Sequence, residues 1–158
     1  MKLKDLFEKW GLEKLKVKTP ILDLEWAPDD PDRNAAWELY IELLTRITTQ
    51  RLPEEHGDEK TALDSVFSLF KTTREVLKRN GRGCVQFTRI AVIVLNQIVR
   101  PFTAKWHRLS LEKAFDDKEK CKTFRIELLD LQNYLLNYTK MLSDMADVED
   151  LTQLEAEP

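Results

Sequence analysis

The sequence predicts an all-α protein: a four-helix bundle with a kinked central third helix and an irregular N-terminal arm. Three features point there. Only four glycines and six prolines punctuate the 158 residues, so long elements are expected. Apolar side chains recur at three- and four-residue spacing over four long stretches, the mark of amphipathic helices. The composition, 42% hydrophobic and 34% charged, is that of a globular helical chain with a heavily charged surface rather than a disordered one. The length suits a single domain over 1–158, with residues 1–32 as an arm, 33–145 as the bundle and 146–158 as an acidic tail.

The arm holds Trp10, Gly11, Pro20, Trp26, Pro28 and Pro31, too many breakers for a long element. One short helix is expected near Leu3–Trp10, followed by an alternating stretch at Leu15-Lys-Val-Lys. Its two tryptophans with Leu22 and Leu24 are too apolar for a free tail, so the arm is expected to pack on its own bundle. The first long helix should start after Asp32 as N-cap and end before Pro53. Trp37, Tyr40, Ile41, Leu44 and Ile47 form its expected buried stripe, broadened by Leu39 and Leu43. The second helix should begin near Asp58, bury Leu63, Val66, Phe67, Phe70 and Leu77, and end at Asn80-Gly81-Arg82-Gly83. The third runs from about Val85 through Ile90, Ala91, Val94, Leu95, Ile98 and Val99, the most apolar surface in the chain. Pro101 must kink or break it, and Phe102, Trp106 and Leu109 carry the spacing onward. The fourth begins at Asp116 or Asp117, where Asp116 and Glu119 match a capping box. It runs through Phe124, Leu128, Leu131, Leu135, Tyr138, Leu142 and Met145. Beyond Met145 the chain is acidic, with Val148, Leu151 and Leu154 spaced to dock or fray.

Several function classes lose support at once. The two cysteines, Cys84 and Cys121, form no CxxC and are read as reduced thiols, as expected of a cytoplasmic protein. No metal and no cofactor is expected. The longest apolar stretch, Ile90–Val99, is interrupted by Asn96 and Gln97 and falls short of the ~20 residues of a membrane helix. The N-terminus mixes acids with lysines and lacks a secretory signal pattern. Two histidines, His56 and His107, leave no catalytic triad, P-loop or glycine-rich phosphate cradle.

Charge is uneven along the chain. Residues 71–113 sum to +8, whereas 1–70 sum to −5 and 114–158 to −6. A basic middle between acidic ends can steer an acidic partner or fold against its own flanks.

Three candidate sites follow. In the first, Arg51-Leu-Pro-Glu-Glu-His56 resembles in spacing the Arg-x4-His pair of the HEPN ribonucleases, a family of all-α bundles that cut RNA. That resemblance implies Arg51 and His56 as catalytic residues; Pro53 between them places them at a helix end instead of on a helix. The second is Asn96, Arg100, Lys105, Trp106, His107 and Arg108 around Pro101. Asn96 and Arg100 share a helix face, and the cations fan out below as a ligand, phosphate or partner site. The bland alternative pairs Arg100 with Glu38 or Glu42 on the first helix. The third is a basic face of Arg74, Lys78, Arg79, Arg82, Arg89 and Arg108, with Trp106 or Phe87 for stacking, suited to nucleic acid. The overall pI of about 5.5 weighs against that reading.

Residues 36–50 and 95–107 are similar to small helical accessory proteins of bacterial defence systems, which implies a subunit acting through a larger effector. The preferred expectation is therefore a non-enzymatic interaction or regulatory subunit of a cytoplasmic bacterial complex. Its partner would be a protein with an acidic surface, anchored by Trp26 or Trp106. The alternatives are a small HEPN-like ribonuclease or nucleotide-sensing domain, and a nucleic-acid-binding accessory protein. A second copy of the chain stays open as a partner, and no membrane is expected.

Overall fold

The computed structural model describes residues 1–55 and 57–154. Among these residues the regular structure is helical, apart from an isolated antiparallel bridge between Lys2 and Glu25. The fold is all-α, as the sequence predicts.

The arm contributes α1 (Leu3–Lys9) and the single-turn α2 (Thr19–Leu22). Leu3, Leu6, Phe7 and Leu12 are buried, and Trp10 and Trp26 lie half-buried against the same core. Leu3 N–H donates to Leu24 C=O at 2.9 Å and Trp26 N–H to Met1 C=O at 2.8 Å. The arm thus folds back on itself and packs on its own bundle.

Helix α3 (Asp30–Leu44) differs from the expectation at both ends. Its N-cap is Asp29, not Asp32. The Asp29 side chain accepts the Asp32 N–H at 3.3 Å and Asp32 returns the bond to Asp29 N–H at 3.1 Å, which satisfies two first-turn donors reciprocally. The other Asp32 oxygen accepts Phe87 N–H at 2.9 Å. One buried carboxylate therefore caps the starts of two helices. Burial raises its pKa, opposed by the backbone bonds from Phe87 and Asp29.

The helix ends at Leu44 instead of Pro53 because side chains take over the backbone groups that further turns would have used. The Thr49 hydroxyl donates to Leu43 C=O at 2.6 Å. Gln132 donates to the carbonyls of Ile47 (2.6 Å) and Gln50 (2.8 Å). The expected stripe on α3 is also rotated. Ala35, Ala36, Leu39, Tyr40 and Leu43 are buried, whereas Trp37 and Ile41 are exposed and Leu44 and Ile47 only half-buried.

Helix α4 (Glu59–Asn80) starts where expected: Asp58 accepts Thr61 N–H at 2.8 Å. It buries Leu63, Val66 and Phe70, but Phe67 sits at the edge of the stripe and is 49% exposed. Gly81, at φ +74°, ends it, a backbone conformation that favours glycine.

Helix α5 (Val85–Val94), a π-helical turn (Leu95–Val99) and α6 (Arg100–Leu111) form one continuous helix. The break expected at Pro101 takes the form of that π turn. Proline lacks an amide hydrogen and its ring crowds the carbonyl one turn back; an extra residue in the turn widens it. Arg100 N–H accordingly donates to Leu95 C=O, five residues earlier.

Helix α7 (Lys118–Ala146) is capped by Asp117, which accepts Glu119 N–H at 2.9 Å. Asp116, the other N-cap considered, ends a 3-10 turn, Ala114–Asp116. All seven expected stripe residues of α7 are buried. Asp147 then turns the chain with φ +57°. The Tyr40 hydroxyl docks the tail, donating to Glu149 C=O (2.9 Å) and accepting Leu151 N–H (2.8 Å). Helix α3 packs against α4, α5 and α7, and α4 and α7 also pack against each other and against α6. The arrangement is consistent with a four-helix bundle, and it leaves the outer edge of α5 uncovered.

Candidate interaction face

On the continuous helix α5–π–α6, Val85, Arg89, Val92 and Asn96 follow one another at spacings of four, three and four residues, so they share a face. That face points outward, because Phe87, Ile90, Ala91 and Val94 on the opposite side fill the core. Val85 and Val92 remain 45% and 43% exposed. They line, with Ile93 and with Ile21 of the arm, a groove of about 530 Å³ whose rim carries Arg82 and Arg89. Among the described residues neither arginine has a carboxylate within ion-pair distance.

Further along the same helix lies a second cationic patch. Arg100 Nε donates to Asn96 Oδ1 at 3.2 Å, and its guanidinium sits 4.7 Å from the centroid of Phe70. His107 meets the exposed ring of Phe67 edge-on, centroids 4.8 Å apart, with its Nε2 3.8 Å from Asp64. Arg100 does not reach Glu38 or Glu42. Glu38 is taken by Arg79 (2.9 Å) and Asn80, and Glu42 by Arg46 (2.6 Å).

The remaining residues expected around Pro101 diverge. Lys105 turns to the other side of the helix, where it pairs with Glu127 of α7 at 2.5 Å. Trp106 is 1% exposed, stacked on Phe115 and edge-on to Phe124. It belongs to the core and is no partner anchor or stacking platform. Phe87 is likewise buried, and Trp26 is half-buried on the core. Arg108 is exposed and 3.9 Å from Glu112. The six residues therefore do not close into one anion pocket.

Arg51 lies in irregular chain after α3; His56 lies outside the described residues. The surrounding connection is organised by Arg125 of α7, which donates to the carbonyls of Leu52 (3.3 Å), Pro53 (3.1 Å) and Gly57 (3.0 Å) and pairs with Glu59 (3.1 Å). Both cysteines are free thiols, Cys84 buried and Cys121 half-buried, and burial pushes the Cys121 thiol pKa up. Among the described residues no group of three or more His, Cys, Asp or Glu could hold a metal ion, and no helix is long and apolar enough to cross a membrane.

Sequence reasoning found Arg82, Arg89, Asn96 and Arg100 but missed Val85, Val92 and Ile21. The signal was present for the valines: they are seven residues apart with Arg89 between them, the spacing of a helix face that alternates apolar and cationic groups. Ile21 had none, because only folding brings the arm beside α5. No protein-family model, curated protein or solved structure matches the chain, so its function has to be read from this geometry.

Proposed function

We propose that the chain is a non-enzymatic interaction subunit that docks a protein with an acidic surface on the outer face of α5. The observation that carries this reading is the pair of exposed valines set between arginines that have no carboxylate partner. Val85 and Val92 each have under half of their surface left to bury, so docking would gain about 1 kcal/mol from each, comparable with the roughly 0.2–1 kcal/mol of an exposed ion pair. The valines and arginines would therefore share the affinity, with Arg82, Arg89 and Arg100 also supplying steering and orientation. Aliphatic side chains between the cations favour a protein over a nucleic acid, whose bases stack on aromatic rings.

The test is capture of partners from the native host by the tagged chain, compared with Val92→Asp and Arg82→Glu/Arg89→Glu. A stoichiometric protein partner retained by the native chain and lost in both variants is the expected result. Trp37→Ala, on a different exposed face, should retain it. Equal recovery in all four, or recovery of nucleic acid in place of a protein, would overturn the reading.

A further inference from the structure

A second groove, separate from the α5 face, lies where the arm crosses the π turn. It has a volume of about 640 Å³, within the roughly 300–1,000 Å³ typical of small-molecule sites. Its floor is apolar, formed by Leu15 of the arm, Ile98, Pro101, Leu131 and Tyr134. The π turn shapes it. By widening the helix at Leu95–Val99 and accepting Pro101, it presents the proline ring on the surface and sets Gln97 beside the arm. Such turns recur at functional sites.

The arm is fastened there by one side chain. Gln97 Oε1 accepts Lys16 N–H at 2.7 Å and its Nε2 donates to Lys16 C=O, as a neighbouring strand would. In this stretch residues alternate: Leu15 and Val17 are half-buried against the core, and Lys14, Lys16 and Lys18 are exposed. Lys14 and Lys16 both line the groove. Among the described residues neither has a carboxylate within ion-pair distance. On the far wall, Glu127 is neutralised by Lys105 at 2.5 Å, leaving Asp130 as the free acid.

We propose that this groove binds an amphiphilic monocarboxylate, its aliphatic chain on the Ile98, Pro101, Leu131 and Tyr134 floor and its carboxylate on the ammonium groups of Lys14 and Lys16. Charge sets the polarity of binding. Two unpaired cations on the arm attract the head, and Asp130 repels it from the α7 wall. An organic cation of the same length would have to face the lysines or lie reversed against a single carboxylate.

The experiment is calorimetric titration of the full chain with octanoate, octylammonium and acetate, with the Gln97 side-chain amide followed by NMR. Octanoate should bind and shift the Gln97 signals, octylammonium should bind about ten-fold more weakly or worse, and acetate, which lacks a chain, should give no heat. Lys14→Glu/Lys16→Glu, both at exposed positions, should weaken octanoate by about ten-fold or more. Arg82→Glu/Arg89→Glu should leave it unchanged, which separates this site from the α5 face. Equal binding of octanoate and octylammonium, unshifted Gln97 signals, or no octanoate binding at millimolar concentration would overturn the proposal.

Discussion

Helices α3 and α7 pack against each other along much of their length, yet their sequences reveal their inner faces very differently. On α7 every residue of the expected stripe, Phe124 to Met145, is buried. On α3 the expected stripe is rotated: Leu39 and Leu43 are inside and Trp37 and Ile41 outside. The two differ in length and in the width of the apolar arc. Over 29 residues, α7 repeats its apolar stripe through seven buried positions, so periodicity selects the face even though Ile126 and Leu129 lie outside it and are exposed. Over 15 residues, α3 carries apolar groups at 37, 39, 40, 41, 43 and 44, an arc too broad for spacing to decide. The small residues Ala35 and Ala36 mark the inner side instead, since both are fully buried. Large apolar side chains therefore mislead on a short helix whose apolar arc is broad, where buried small residues mark the inner side.

The largest effect should separate the two faces of α3. Leu39→Ala is expected to cost about 2–5 kcal/mol, like any fully buried leucine, whereas Trp37→Ala should cost under about 1 kcal/mol despite removing the larger side chain. Chemical denaturation of the two variants measures this, and the reverse order would restore the stripe read from the sequence.

Next in size is the support α7 gives to the chain leaving α3. Arg125→Ala removes the donor shared by three backbone carbonyls and the Glu59 pair. It should cost roughly 2 kcal/mol, since hydrogen bonds from charged groups are worth about 1.5–3 kcal/mol. Amide exchange should rise between Thr45 and Asp58 first. Uniform loosening of the whole molecule would mean that the connection is not separately held.

The smallest effect compares two capping aspartates. Acceptance of the Thr61 hydroxyl and amide lowers the pKa of Asp58 from its ordinary 3.8. Its stabilisation is therefore present above pH 3.8 and is lost as pH falls through the lowered value. Asp58→Ala should cost about 1 kcal/mol at neutral pH, and the gap from the native chain should close in acid. Asp32 has the opposite sign. Its pKa is raised by burial, so its contribution is fully present below 3.8 and declines as pH rises through the raised value. Asp32→Asn keeps an oxygen for Phe87 N–H, and the native chain should gain on it as pH falls. Denaturation midpoints across the acid range check both slopes; parallel slopes would contradict the different burial of the two groups.

Much of the fold is legible in particular residues. Asp58 and Asn80-Gly81 mark the ends of α4 because a cap and a left-handed glycine are local chemistry. The long stripe marks α7 in the same way, and the adjacent Asp116 and Asp117 place its start to within one residue, the structure choosing Asp117. The early end of α3 was not legible as a whole, since Thr49 on the Leu43 carbonyl is local but Gln132, which holds the Ile47 and Gln50 carbonyls, lies some 80 residues further along the chain. The candidate site was legible in part. Arg89, Asn96 and Arg100 share a face by spacing, but Trp106 reads the same whether it lies on a surface or within a ring cluster with Phe115 and Phe124.

By itself the sequence determined the helical class, the capped start of α4 after Asp58, the start of α7 to within one residue at Asp116 or Asp117, and the basic middle between acidic ends. All of these depend on neighbours within a turn or two. Only the tertiary structure decided which face of α3 is core, that Pro101 widens the helix instead of breaking it, and that Lys105 and Trp106 turn away from Arg100. It also brought Ile21 beside Val92, and Lys14 and Lys16 beside Pro101. These outcomes depend on side chains far apart in the chain competing for the same space and the same hydrogen-bond partners, and local spacing carries no record of that competition.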